Sequence, residues 1–323
     1  AKYNPSMSLL RKQALMNGKN KGNNKFRVPL PVSVNKATKR TGDLTPTEWR
    51  EYFDSKQVDG INVLTCGSKG PCIIFLHGAG HSGMSWALVA AMLKDECRII
   101  APDCRGHGMS ELRSLDDLSK DNLVKDVLTV VDACAPEGEK VVVVGHSMGG
   151  AIAGFAANAL GSRCSGLVVI DVVEGTALEA LPRMTQILRG RPKSFNSIED
   201  AIRWSISSKT INNEKSAKIS MPSLITKDVN SDKFVWKIEL ASTSPHWRGW
   251  FTGLSSAFLS APGSKILILA GTDRLDKPLT IGHMQGKFQL VVLPNAGHVI
   301  QEDDPERVAS AIMNFLKRYR LVK

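Results

Sequence analysis

At 323 residues the chain is long enough for one large α/β domain with an inserted subdomain, or for two domains. Its hydrophobic content of 42% is that of a globular protein, and no apolar run approaches the ~20 residues that a helical membrane span requires. The net charge of +11 raises the question of nucleic acid, but no nucleic-acid-binding motif accompanies it, so neither nucleic acid nor membrane is expected as a partner.

Much of the basic excess lies in "SLLRKQALMNGKNKGNNKFR" and "NKATKRTG". Residues 1–43 are polar and rich in Asn and Lys, and this composition reads as a largely disordered, solvated tail without the apolar core of a signal peptide. The remainder, 44–323, reads as the folded domain. "TPTEWREYFD" (45–54) places Thr45 as an N-cap ahead of Pro46, which predicts a short helix docked through Trp49, Tyr52 and Phe53. From "INVLTC" onward, strands alternate with helices. "CIIFL" ends at His77, a helix is predicted over 83–93, and "CRIIAPD" runs into Asp103-Cys104-Arg105-Gly106-His107-Gly108. A helix over about 121–134 gathers Leu123, Val127, Val130, Val131 and Cys134 on one side. "VVVV" (141–144) has the greasy run of a strand buried on both faces, and "GLVVID" (166–171) follows the next helix.

The alternation breaks over about 174–255, a helix-like insertion with four of the six tryptophans: Trp204, Trp236, Trp247 and Trp250. "KILILAG" (265–271) and "FQLVVLPNAGH" (288–298) resume the strands, and "PERVASAIMNFLKRYR" closes the chain as an amphipathic helix. A mostly parallel, doubly wound sheet with a helical cap over the strands' carboxyl ends accounts for this order. The six cysteines (66, 72, 97, 104, 134 and 164) lie in strand-like and helical stretches, as reduced thiols do, and a Cys66–Cys72 bridge across "GSKG" is the minority reading. With no C-x-x-C or H-E-x-x-H pattern, the sequence supports no metal site.

The chemistry concentrates at Gly145-His146-Ser147-Met148-Gly149, a G-x-S-x-G pattern where a buried strand stops against a small-residue helix. Glycines clear the turn and leave the Ser147 hydroxyl exposed. A serine nucleophile needs a base, an acid that orients the base, and N–H groups for the oxyanion. His298 follows a late strand and precedes the final helix, a position from which a loop carries the ring over the sheet's edge. In "LHGAGHSG", the HG-containing loop supplies one oxyanion N–H and the residue after the nucleophile the other, which assigns the backbone amides of Ala79 and Met148. His107 is read as a loop-holding hydrogen-bonder and His146 as a packed or solvent-facing ring. For the acid, Asp171 and Asp273 both end strands between serine and histidine in the chain, and spacing does not choose between them.

"GHSMGG", followed by "IDVVEGTA", "LRGRPKSF", "WRGWFTGLS", "AGTDRLDK" and "MQGKFQ", resembles the protein phosphatase methylesterases, serine esterases with the α/β-hydrolase fold. "GHSMGG" alone is common among esterases and lipases, whereas the later motifs are more specific, and the resemblance runs from "TPTEWREYF" to the closing helix. It implies hydrolysis of the methyl ester on the C-terminal leucine of the protein phosphatase 2A catalytic subunit, by a cytoplasmic enzyme, also nuclear, that acts as a monomer without a cofactor. It places the triad acid on Asp171. The cap tryptophans become candidates for contact with the phosphatase. One departure from the family is that animal members carry a long acidic insert after the segment matching "SAKISM", where here "PSLITKDVNSD" joins directly to "KFVWKIEL". Two alternatives remain: a small-molecule esterase or lipase of the same fold, and a non-catalytic scaffold that binds the phosphatase.

Overall fold

The computed structural model describes residues 42–111, 114, 118–271 and 274–322. The tail expected over 1–43 therefore lies outside the described residues except for Gly42 and Asp43, and Asp273 lies outside them as well. In chain order the elements are β1 (Asp54–Val58), β2 (Ile61–Cys66), β3 (Cys72–Leu76), α1 (Ala87–Leu93), β4 (Arg98–Pro102) and α2 (Lys120–Cys134). Next come β5 (Val141–His146), α3 (Met148–Leu160), β6 (Cys164–Ile170), α4 (Glu174–Arg189), β7 (Ser194–Phe195), α5 (Ile198–Ser207) and α6 (Glu214–Ser220). The chain continues through β8 (Ile225–Lys227), β9 (Phe234–Trp236), α7 (Ser244–Phe251), α8 (Leu254–Ser260), β10 (Ser264–Leu269) and α9 (Lys277–Met284). It ends with β11 (Gln289–Val292), α10 (Ile300–Asp303) and α11 (Pro305–Arg318).

Eight strands form one sheet in the order β1-β2-β4-β3-β5-β6-β10-β11. The β1–β2 and β2–β4 pairs are antiparallel and every later pair is parallel, so β3, β4, β5, β6, β10 and β11 all point their carboxyl ends to one edge. Side-chain alternation sends Ile74, Leu76, Val141, Val143, Leu167, Val169, Leu267 and Leu269 to one face, under α2, α3 and α8. Ile73, Phe75, Val142, Val144, Val168, Ile170, Ile266 and Ile268 go to the other, under α1 and α11. Both faces are covered, which is why these strands read as continuous apolar runs, each buried valine being worth about 1.5–3 kcal/mol.

Two expectations are corrected. Residues 45–54 make only one 3₁₀ turn, Trp49–Glu51, because Asp54 already begins β1. The 174–255 segment holds helices α4 to α7 but also a three-stranded antiparallel sheet, β7-β9-β8. Its own core gathers Phe195, Ala201, Ile202, Ala217, Met221 and Leu224, with Trp204 and Trp236 packed against it. Trp247 and Trp250 are instead buried in the main core, their indole N–H groups donated to Thr243 Oγ1 and the Leu118 carbonyl at 2.8 and 2.7 Å. They are sealed from any partner, since large rings with satisfied donors are most stable inside. Cys66 and Cys72 are free thiols, as are the other four. Among the described residues no helix is long and apolar enough to cross a membrane.

Candidate active site

Ser147 stands at the join of β5 and α3 with φ 53° and ψ −121°, a backbone region that L-residues avoid at a cost of about 1–3 kcal/mol. The surrounding glycines are a matter of space. A Cβ on Gly145 would fall on the Gly149 carbonyl, and one on Gly149 would fall on the carbonyls of Leu76 and His77. The conformation is held from below, because Ser147 N–H continues the sheet by donating to the Ile170 carbonyl at 3.0 Å.

The loop after β11 brings His298 over this turn. Its Nε2 lies 3.1 Å from Ser147 Oγ, and its Nδ1 lies 2.7 Å from Asp171 Oδ2. Asp171 follows β6, also in the left-handed region (φ 52°), with its N–H donated to the Ile268 carbonyl at 2.8 Å. Its other oxygen, Oδ1, accepts from Ala270 N–H at 3.1 Å and pairs with the Arg274 guanidinium. Burial alone would raise the Asp171 pKa. The hydrogen bond and charge of His298, together with Arg274, outweigh it and hold the carboxyl well below the usual carboxylate range. The His298 side chain itself is 52% exposed, so a substrate reaches the Nε2 side while Nδ1 faces a nearly sealed carboxylate.

The loop after β3 runs beside the serine, and a Cβ on Gly78 would lie 3.3 Å from Ser147 Cβ. Neither Ala79 N–H nor Met148 N–H is donated to an acceptor among the described residues. Three buried side chains fix this loop. His77 Nε2 accepts from Cys104 N–H at 2.8 Å and His107 Nε2 accepts from Gly80 N–H at 3.0 Å. Their Nδ1 atoms therefore carry the protons, each beside a carbonyl (Gly78 at 2.8 Å, Arg105 at 3.1 Å). Burial pushes both imidazoles down to about 3, which keeps those acceptors available at neutral pH. Asp103 accepts from Gly83 N–H, Met109 N–H and Asn62 Nδ2, at 2.7, 2.9 and 2.8 Å. His146 faces no solvent: its Nε2 is 2.8 Å from the His298 carbonyl, and burial keeps the ring neutral.

Sequence reading missed Arg274, Asp103 and Asp303. Asp303 accepts from Gly297 N–H at 2.8 Å, and from Asn212 N–H and Nδ2 at 2.7 Å each, which ties the His298 loop to the cap. The crowded acidic run "QEDDPER" was the available signal, but nothing in it singles out one carboxylate. Among the described residues no group of three or more His, Cys, Asp or Glu is arranged to hold a metal ion.

The model of the alpha/beta hydrolase family matches residues 73–311. The chain is 44% identical over 305 residues to "Probable protein phosphatase methylesterase 1" of Caenorhabditis elegans, covering 91% of this chain and 84% of that one. It is 41% identical to "Protein phosphatase methylesterase 1" of Homo sapiens, with 88% of each chain covered. Among solved structures, E-2-(acetamidomethylene)succinate hydrolase superposes with a TM-score of 0.72 at 22% identity, over 82% of this chain and 99% of that one, a likeness of fold.

Proposed function

Because this chain belongs to the protein phosphatase methylesterases, within the α/β-hydrolase family, and is thereby a carboxylic ester hydrolase, we propose that it removes the methyl ester from the C-terminal leucine of the protein phosphatase 2A catalytic subunit through an acyl-enzyme on Ser147. The observation that carries the mechanism is the unbroken relay from Ser147 Oγ through His298 to Asp171, at 3.1 and 2.7 Å. His298 Nε2 takes the hydroxyl proton as Ser147 Oγ attacks the ester carbonyl carbon. Asp171 fixes the tautomer with the proton on Nδ1 and stabilises the imidazolium. The developing oxyanion is received by the N–H groups of Ala79 and Met148, each such donor being worth roughly 3–4 kcal/mol in the transition state. The tetrahedral species collapses, the C–O bond to methoxide breaks, and His298 returns the proton so that methanol leaves. A water molecule then gives its proton to His298 and attacks the acyl-enzyme. When Ser147 Oγ is expelled it takes that proton back, and the free carboxylate is released.

The test is incubation with methylated phosphatase and mass measurement of its C-terminal peptide. The peptide loses one methyl with the wild-type enzyme and none with Ser147→Ala, while Ser147→Ala still captures the phosphatase in a pull-down. Retention of the methyl group by a wild-type enzyme that labels with a fluorophosphonate would overturn the substrate assignment and leave the serine chemistry standing.

A further inference from the structure

One motif takes no part in the relay. In "LRGRPKSF", Arg191 follows the end of α4 and brings its guanidinium to the oxyanion loop: a Cβ on Gly80 would lie 3.7 Å from Arg191 Nη1. The guanidinium is stacked 5.0 Å from the centre of the Trp236 ring. It is held there from both sides, because Arg191 N–H donates to the Leu188 carbonyl at 3.1 Å and Trp236 Nε1 donates to the Pro192 carbonyl at 2.8 Å. Among the described residues it forms no ion pair. Burial lowers its pKa, and Glu239 opposes that shift only through its field. Arg191 is half-buried, and none of its nitrogens is both sealed from solvent and without a partner. A planar cation fixed on an indole beside a reaction centre, with its donors unspent, is built to receive an anion.

We propose that Arg191 is a carboxylate subsite that reads an acidic side chain in the peptide preceding the esterified residue. This rests on the peptide-ester reading above. The ester and its methyl group are neutral, so the preceding peptide is the part of such a substrate that can bring charge to a fixed cation. The carboxylate produced by hydrolysis forms between the Ala79 and Met148 amides, whereas the Arg191 guanidinium, carried by the segment after α4, stands against Gly80, the residue after Ala79.

The experiment uses synthetic methyl-ester peptides that are neutral except for one aspartate, moved through the four positions before the esterified residue, each paired with its asparagine control. kcat/KM is measured at low and high salt for wild type, Arg191→Met and Arg191→Lys, with active sites counted by fluorophosphonate labelling and folding checked by thermal unfolding. At one position the wild type should prefer aspartate by roughly 10-fold or more, mostly through KM and weakening with salt. Arg191→Met should bring that ratio to about one, and Arg191→Lys should keep part of it, since it retains the charge without the fork. Three results would overturn the subsite: no preference at any position in the wild type, an unchanged ratio in Arg191→Met, or an effect of Arg191→Met confined to inhibition by the acid product. A wild type that hydrolyses small activated esters but no peptide ester would instead overturn the reading on which the subsite rests.

Discussion

Asp171 divides its carboxylate between His298 on Oδ2 and Arg274 with Ala270 N–H on Oδ1. Both oxygens are committed, so the side chain cannot rotate without losing a charged partner. Asp171→Asn keeps this shape but presents an N–H where His298 Nδ1–H needs an acceptor. kcat should fall by about 10⁴-fold with little change in KM, as in a serine-protease triad, while the protein stays folded. Steady-state hydrolysis of an activated ester checks this, and near-normal turnover would remove Asp171 from the mechanism. Arg274→Met should do less, because His298 keeps its acceptor and loses only the brace behind it. Spacing left the choice of acid open for a physical reason, and only the resemblance at "IDVVEGTA" pointed to Asp171. Asp171 and Asp273 follow β6 and β10, adjacent parallel strands, and the left-handed backbone and the Arg274 pair that aim Asp171 leave no mark on spacing.

At the level of elements, the turn from β5 into α3 was legible because steric need writes glycines into the chain at Gly145 and Gly149. The strands were legible through their apolar runs. The β8–β9 hairpin was not, since three-residue strands carrying Phe234 and Trp236 have too little length to show a period of two. Nor was the link between cap and base. The Asp303 carboxylate spans Gly297, one residue before His298, and Asn212, between α5 and α6 of the cap. A Cβ on Gly297 would lie 2.7 Å from Asp303 Oδ2, so a side chain there would displace the carboxylate that holds the loop. Asp303→Ala should therefore lower kcat by about 10-fold or more through misplacement of His298, with a smaller change in KM. Gly297→Ala should do the same, and Asn212→Ala less. An unchanged kcat in folded Asp303→Ala would show that His298 is positioned by other contacts, His146 among them.

For the whole molecule, the seam between cap and sheet holds a buried acid. Glu302 Oε2 accepts from Ser220 Oγ at 2.5 Å, and Oε1 lies 3.4 Å from His81 Nδ1. Burial pushes Glu302 up to about 8 and His81 down to about 3, so both are neutral near pH 7. The sign follows from proton counting. Between an unfolded-state pKa near 4.5 and the folded value of about 8, the native state holds a proton that the unfolded chain has lost. Stability is therefore lost as pH rises through that window, by up to about 1.4 kcal/mol per pH unit. Glu302→Gln should flatten that limb and melt above wild type at pH 8, while leaving the acid limb, where Asp171 contributes in the opposite sense. Parallel pH–stability curves for the two proteins would refute the neutral pair.

The backbone at Ser147 also sets how two substitutions at that position should rank on heating. Alanine normally stabilises a chain relative to glycine, by stiffening the unfolded state and by favouring helix. At φ 53° and ψ −121° the order should invert, because alanine keeps the unfavourable torsions and glycine relaxes them. Under the proposed mechanism neither Ser147→Gly nor Ser147→Ala forms an acyl-enzyme, yet calorimetry should find the glycine form melting a few degrees higher, as expected for about 1–2 kcal/mol in a protein of this size. Equal melting points would mean that the turn carries no tension. A higher one for glycine would measure, in degrees, how much heat resistance the protein forgoes to present a reactive hydroxyl.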